Sequence, residues 1–205
     1  KNGFVKNKVL EFVGPGVEKL DVEFRNGIDV MTTETTCLSS IWQTDEKVRG
    51  YYAAHGRADA YRALQPGSIA YYDSMIKIDL SKIECMIALP YHPSNAYTIK
   101  ELNANLNDIL RQVEKESGGK FGNVTLDLRS KVRGGRLYAD QGVIAGCAGG
   151  LFNNICDAAA ILKDANIGNE YFALSVYPGS MPVNLALSKL GVLDTLMEAG
   201  AVIKP

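Results

Sequence analysis

The last third of the chain most limits what it can fold into. Residues 142–146 read as a short apolar strand, 151–165 as a helix and 172–177 as a second strand. A turn at Pro178-Gly-Ser180 follows, then a helical run over 182–199 with a stop at Gly191, and a third strand begins at Ala201. A β-α-β-α-β succession with helical crossovers requires parallel strands and right-handed connections. The glycine-rich turn around Cys147 and the turn at 178–180 are then expected on one edge of the sheet. Open α/β sheets take their ligands at such an edge, so the class expected is α/β with mainly parallel sheets.

The earlier chain is less regular. Residues 7–13 alternate as a strand and stop at Gly14-Pro-Gly16, a turn signal. Apolar residues recur at three- and four-residue steps over 17–36, which predicts one helix or two short ones broken near Asn26-Gly27. Residues 38–44 read as loop. Residues 45–55 read as a helix with Asp45 as N-cap, and 57–64 as another short helix. Strands are expected over 70–80 and 83–89, with a loop at 90–95. Leu102, Leu106, Ile109, Leu110 and Val113 define the apolar face of a single helix over 99–116. Residues 121–136 are basic and read as a connector.

Composition removes several function classes. Lys plus Arg number 22 against 23 Asp plus Glu in 205 residues, and no basic stripe with interleaved aromatics appears, so nucleic acid is not expected as a partner. The uncharged run at 141–156 is too short and too polar to span a bilayer, and no signal-peptide core opens the sequence. The four cysteines, Cys37, Cys85, Cys147 and Cys156, form no C-x-x-C pair and no framework. That spacing points to a reducing, cytoplasmic setting. The sequence has no initiator Met and ends on a strand that has just begun, so the expectation is a piece of a longer chain.

Two residues stand out as candidates. Cys147 has small residues on both sides and precedes a helix, a setting that favours the thiolate and leaves room for a bulky group. It reads as a metal or cluster ligand; the competing reading is an inert thiol in a tight turn. The surrounding glycines match neither G-x-G-x-x-G nor the lysine-containing P-loop. Glu34 lies in a run of threonines at the end of a helix, where a carboxylate opposes the helix dipole, which points to a functional reason for its place. A solvated surface glutamate is the alternative. His55 and His92, the only histidines, read as structural polar residues, although His92 in its proline-rich loop could line a cleft.

Several ordered segments resemble the aconitase family of iron–sulfur hydro-lyases. Glu11-Phe-Val-Gly-Pro-Gly-Val17 is similar to the family's Glu-Tyr-x-Gly-Pro-Gly-Val, and without a gap the chain runs through Met31 and Glu34 to Ser39-Ser40. Gly56-Arg-Ala-Asp59 and the Tyr72 to Ser81 stretch match the next landmarks. Ile144-Ala-Gly-Cys147 stands where the family has Ile-Gly-Ser-Cys-Thr-Asn, and Pro178-Gly-Ser180, Gly191 and Gly200 match the approach to its Cys-Gly-Pro-Cys. The resemblance implies three-layer α/β/α domains with mainly parallel sheets: one over 1–92, a helical and basic connector over 93–140, and the start of the next domain over 141–205. It implies Cys147 as the first of three cysteines holding a [4Fe–4S] cluster, and Glu34 as an active-site glutamate near the open iron. It further implies a small hydroxy di- or tricarboxylic acid as substrate, with the remaining domains of the same parent chain as partners. The other two cysteines, the first domain and the swivelling domain lie outside this sequence, so the segment alone is expected to bind no stable cluster and to be inactive.

The chain also departs from the family pattern. Val30 stands where the family has asparagine, and Ala148-Gly149 replaces Thr-Asn after the cysteine. The long connector around 103–136 and the loop at 89–95 resemble the divergent bacterial hydratase branch, and the lost polar groups imply a different cluster tuning or substrate. They also leave open a member that has lost the chemistry and serves as a binding or regulatory module. A nucleotide-binding α/β fold is a third reading, against which the missing phosphate fingerprint counts.

Overall fold

A computed structural model of the chain describes residues 3–120, 122–168 and 171–204. In chain order its strands are β1 (Val9–Phe12), β2 (Ser39–Trp42), β3 (Met86–Ala88), β4 (Ala96–Thr98), β5 (Val132–Arg133), β6 (Arg136–Leu137), β7 (Gln141–Ile144), β8 (Ala173–Val176) and β9 (Val202–Ile203). The helices are α1 (Val22–Thr32), α2 (Glu46–Ala54), α3 (Ile99–Ala104), α4 (Leu106–Ser117), α5 (Gly146–Gly149), α6 (Phe152–Leu162), α7 (Met181–Lys189) and α8 (Val192–Glu198). Two compact units emerge: residues 77–140, and a larger one joining the chain up to residue 76 with that from 141 onward.

In the larger unit β7, β8 and β9 form a parallel sheet in sequence order, with Ile144 opposite Val176 and Val176 opposite Ile203. This is the expected β-α-β-α-β, and the mainly parallel α/β class holds. Its crossover helices close on the sheet through Ile155, Leu187, Leu193 and Leu196, packed with Leu174 and Val176. Full burial of each such side chain contributes about 1.5–3 kcal/mol. Gly191, at φ +69°, ends α7 and starts α8 as the sequence foretold.

The front of the larger unit departs from expectation. Residues 39–42 are not loop: β2 pairs in parallel with β1, Val9 opposite Ser39 and Phe12 opposite Trp42, whose rings stack 4.1 Å apart. The pairing is non-local, and a strand opening on two serines carries no apolar alternation to announce it. Helix α1 runs unbroken through Asn26-Gly27, with Asp21 capping it by accepting the Phe24 N–H at 2.6 Å; a Cβ on Gly27 would lie 3.9 Å from Leu151 Cδ1. Residues 57–64 hold only a single turn of 3₁₀-helix, Ala58–Ala60, before the chain folds back to Thr44, whose hydroxyl accepts the Leu64 N–H at 2.7 Å. The strand expected over 70–80 is absent as well. Tyr72, Met75 and Ile76 are exposed, and the stretch is tied to β1 by side chains: Tyr72 Oη donates to Glu11 at 2.7 Å and Lys8 Nζ to Ser74 at 3.4 Å.

In the smaller unit β3 pairs antiparallel with β4, and Leu89, Leu102, Leu106, Leu110 and Val113 form the core. The single helix expected over 99–116 is two. Asn105 leaves helical geometry (φ −126°, ψ 31°) while its side chain donates to Glu101 O at 3.4 Å, the local competition that makes asparagine a poor interior helix residue. Within the basic connector, of which Phe121 lies outside the described residues, β5 and β6 make a tight hairpin. Its turn residues Gly134 and Gly135 both take positive φ, at +56° and +74°.

Candidate functional site

Cys147 sits on α5, the short turn that leaves the C-terminal end of β7, and its side chain is exposed. The turn is built from backbone. Gly146 takes φ +84°, the Gly150 N–H donates to Gly146 O at 2.9 Å, and the Gly179 N–H donates to Gly150 O at 2.8 Å. The turns at 146–150 and 178–180 therefore touch at the sheet edge where the parallel topology requires them. The approach depends on glycine: a Cβ on Gly150 would lie 2.8 Å from both Gly146 O and Tyr177 O, and one on Gly179 3.0 Å from Gly150 O. The expected topology puts both turns on this edge; the direct contact of Gly150 with Gly179, 29 positions apart, has no local signal.

Helix α1 packs against this turn, and a shared set of acids fastens the two. No side chain of its own caps α6; instead Glu23, from the first turn of α1, accepts the Asn153 N–H at 2.8 Å. A carboxylate at that end is also stabilised by the positive pole of the α6 dipole. Asp21, besides capping α1, accepts from Asn153 Nδ2 at 3.2 Å, and Asn154 Nδ2 donates back to Ala148 O at 2.6 Å. On the inner face of α6, burial pushes the Cys156 thiol up, with Asp157 and Glu23 adding to it. Neither Asp21 nor Glu23 stands out in the sequence; the role of Glu23 joins two helices and has no local signal.

Glu34 lies on the 3₁₀ turn Thr33–Thr35 that follows α1, and it is exposed. The threonines around it satisfy the frayed helix end. Thr33 Oγ1 donates to Val30 O at 2.8 Å, Thr35 Oγ1 to Thr32 O at 2.6 Å, and Thr36 closes the turn in the left-handed region at φ +61°. Among the described residues no hydrogen bond or ion pair joins Glu34 to Cys147; what they share is α1, which carries Glu34 beyond its C-terminal end and packs on the Cys147 turn. At its other end α1 is pinned by Arg25, 3% exposed, whose Nη2 donates to Val17 O and Leu20 O at 3.0 Å and to Asp45 at 2.5 Å.

The histidines have local partners. His55 Nδ1 meets Tyr51 O at 2.8 Å and its ring lies on that of Tyr51. His92, in the smaller unit, accepts the Ser94 N–H on Nδ1 at 3.1 Å and lines a cavity of about 260 Å³ between the 90–95 loop and the end of α4.

The family model for the aconitase family (aconitate hydratase) matches residues 1–205. The chain belongs to the aconitase family. Relatives include the 3-isopropylmalate dehydratase large subunits of Moorella thermoacetica, 30% identical over 194 residues, and of Nitratidesulfovibrio vulgaris, 29% identical over 198. That of Pyrococcus furiosus is 28% identical over 198 residues. These alignments cover 95–97% of this chain but only 38–39% of each relative, so the chain spans well under half the length of the curated relatives it matches.

Aconitase-family hydratases generally carry a [4Fe–4S] cluster. One corner of such a group fits here: an exposed thiol at a sheet edge, walled by Ala148, Gly149 and Gly150, with no bulky side chain on the turn. The donor set as a whole does not, because among the described residues no three His, Cys, Asp or Glu gather to hold a metal. The described residues also contain no helix long and apolar enough to cross a membrane.

Proposed function

We propose that this chain is part of an aconitase-type hydro-lyase that dehydrates and rehydrates a small hydroxy di- or tricarboxylic acid, of the 3-isopropylmalate kind named for its relatives. The observation that carries the reading is the exposed Cys147 thiol on a glycine-built turn at the C-terminal edge of a parallel sheet. In the whole protein Cys147 is one of three cysteine ligands, and residues beyond 205 supply the others. A cluster held by three thiolates offers Lewis acidity toward a substrate hydroxyl, which matters because hydroxide leaves poorly beside a carboxylate. This chain's own contributions are a ligand thiol, a turn that keeps side chains away from it, and the Glu34 carboxylate. Glu34 hydrogen-bonds or exchanges a proton at the departing oxygen. Residues 141–205 carry the ligand and the segment up to residue 76 carries Glu34, both within the larger compact unit, and 77–140 form the smaller one. The protein works in the cytoplasm together with the rest of its parent chain or a second subunit.

Anaerobic reconstitution with iron and sulfide tests the reading. The full-length parent gains the cluster's absorbance and loses it on Cys147→Ser, while the chain of residues 1–205 forms no stoichiometric cluster and turns over no substrate. A stoichiometric cluster on residues 1–205 alone would refute Cys147 as one of three ligands. With the cluster intact, Glu34→Gln lowers kcat of the parent by roughly a hundredfold, the usual scale for a general acid–base group. The Val30 and Ala148-Gly149 departures favour a second reading, a member without chemistry that binds or regulates. A Cys-x-x-Cys downstream of residue 205 decides against it.

A further inference from the structure

We infer that Asp29 is a positioning residue for the turn that carries Glu34, acting through Ser40 and Thr32. The inference rests on the reading of Glu34 as the proton-handling carboxylate. Thr32 is the hub of the turn: it is 7% exposed, and its carbonyl accepts from Thr35 Oγ1 at 2.6 Å and from the Cys37 thiol at 3.3 Å. Those two donors flank Glu34 on its C-terminal side, so the placing of the Thr32 carbonyl sets the turn. Thr32 is fixed in its own right. Its hydroxyl lies 2.6 Å from Asp29 O and 3.1 Å from Ser40 Oγ, a three-centre arrangement common at helix ends.

Ser40 belongs to β2 and donates its single proton to Asp29 Oδ1, which also accepts from Trp42 Nε1 at 3.2 Å. The Asp29 carboxylate thus receives two donors from one strand, and a half-buried carboxylate strengthens each of those bonds. The result is a chain of bonds from β2 through Asp29 and Ser40 to Thr32, ending on the groups beside Glu34. It locks the last turn of α1 to the β1–β2 pair. Two backbone bonds report on the outcome: the Thr36 N–H donates to Thr33 O and the Asn7 N–H to Thr36 O, both at 3.1 Å.

Amide hydrogen exchange on the chain of residues 1–205 tests this, with the indole resonance of Trp42, its only tryptophan, as an internal control. Ser40→Ala cuts the relay but leaves Asp29 bonded to Trp42, so exchange at Thr36 and Asn7 rises about tenfold or more while the indole signal stays. Asp29→Ala raises exchange equally and also shifts the indole. Asp29→Asn keeps an acceptor for both donors and holds exchange within about threefold of the parent. Unchanged exchange at Thr36 and Asn7 in Ser40→Ala overturns the inference, and that mild variant decides the matter even where Asp29→Ala fails to fold. The exchange experiment needs no activity. A fully active Glu34→Gln parent therefore removes the role of Glu34 and leaves the relay standing, whereas unchanged exchange removes the relay and leaves Glu34.

Discussion

The Cys147 turn and the Glu34 turn lie at opposite kinds of helix end and are held by different means. The first is made of backbone: three glycines let two loops touch, and the bonds run from amide to carbonyl. The second is made of side chains, with Thr32, Thr33, Thr35, Ser40 and Asp29 supplying the hydroxyls and carboxylate that a frayed helix end lacks. A backbone-built turn has no slack and fails when an atom is added. A side-chain-built turn fails when one is removed, and it fails by degrees. Under the proposed function, the rigid turn holds the ligand thiol and the adjustable one the carboxylate that meets the substrate.

Adding a methyl is the sharpest way to break that contrast. Gly150→Ala forces a Cβ to 2.8 Å from two carbonyl oxygens that belong to the sheet edge and cannot step aside. The expected loss is about 3 kcal/mol, at the upper end of overpacking costs. Gly149→Ala, one residue earlier, meets nothing within 4 Å, and its gain in helix propensity leaves stability within about 1 kcal/mol of the parent. Paired chemical denaturation curves check both. Equal losses at 149 and 150 would mean that the turn is not held by the crossing with Gly179.

The next effect enters from the far end of α1 and is set by pH. Burial pushes the Asp45 carboxyl up, but the Arg25 guanidinium and the Val48 and Lys47 amides outweigh it and hold the carboxyl below its usual range. A depressed folded-state value means that the unfolded chain takes up the proton first. The stability from this contact is therefore whole above the unfolded pKa of about 3.9 and drains away as pH falls through the folded value. Asp45→Asn retains an N-cap but leaves the buried Arg25 with a neutral partner, a loss of about 2 kcal/mol at pH 7. Below about pH 4 the two curves converge, because the parent is losing the same interaction. Melting temperatures recorded from pH 3 to 7 give the answer, and a constant gap across that range would deny the ion pair its part in fixing α1.

The same contrast explains what the sequence could disclose. The β7–α6–β8–α7–β9 run was legible because each element carries its own periodicity, Gly191 marks the helix stop, and parallel topology then forces the two turns together. Cys147 inherited its place from that logic. Nothing comparable announced β2, whose Ser39-Ser40 opening becomes a strand only through pairing with β1. Glu34 stands out as a carboxylate at a helix end, and Ser40 belongs to a family landmark, yet the bonds that join Asp29 to Ser40 and Trp42 reach across the fold and have no local signal. The stretch over 70–80 is the opposite case: Tyr72, Met75, Ile76 and Ile78 suggest a strand, but among the described residues no strand pairs with it. Periodicity reports what a segment could bury, and only the rest of the chain decides whether a partner is there to bury it.

The smallest expected change in stability, at Cys147 itself, separates an exposed thiol from one that packs. Its side chain is exposed and fills no core, so Cys147→Ser alters stability by no more than about 0.5 kcal/mol, as for other surface positions away from special features. Cys156 is the opposite case. It packs against the core of the β7–β9 sheet, and its thiol is pushed up by burial and by the acids beside it. Nucleophilic attack needs the thiolate and access to it, and Cys156 is short of both. Limited alkylation with iodoacetamide at pH 7.5, followed by peptide mass spectrometry, then labels Cys147 well before Cys156. Raising the pH narrows the gap only in part, because access still favours the exposed turn. Labelling of Cys156 ahead of Cys147 would mean that the glycine turn closes over its cysteine, and an enclosed thiol could not serve as a ligand to a group entering from the sheet edge.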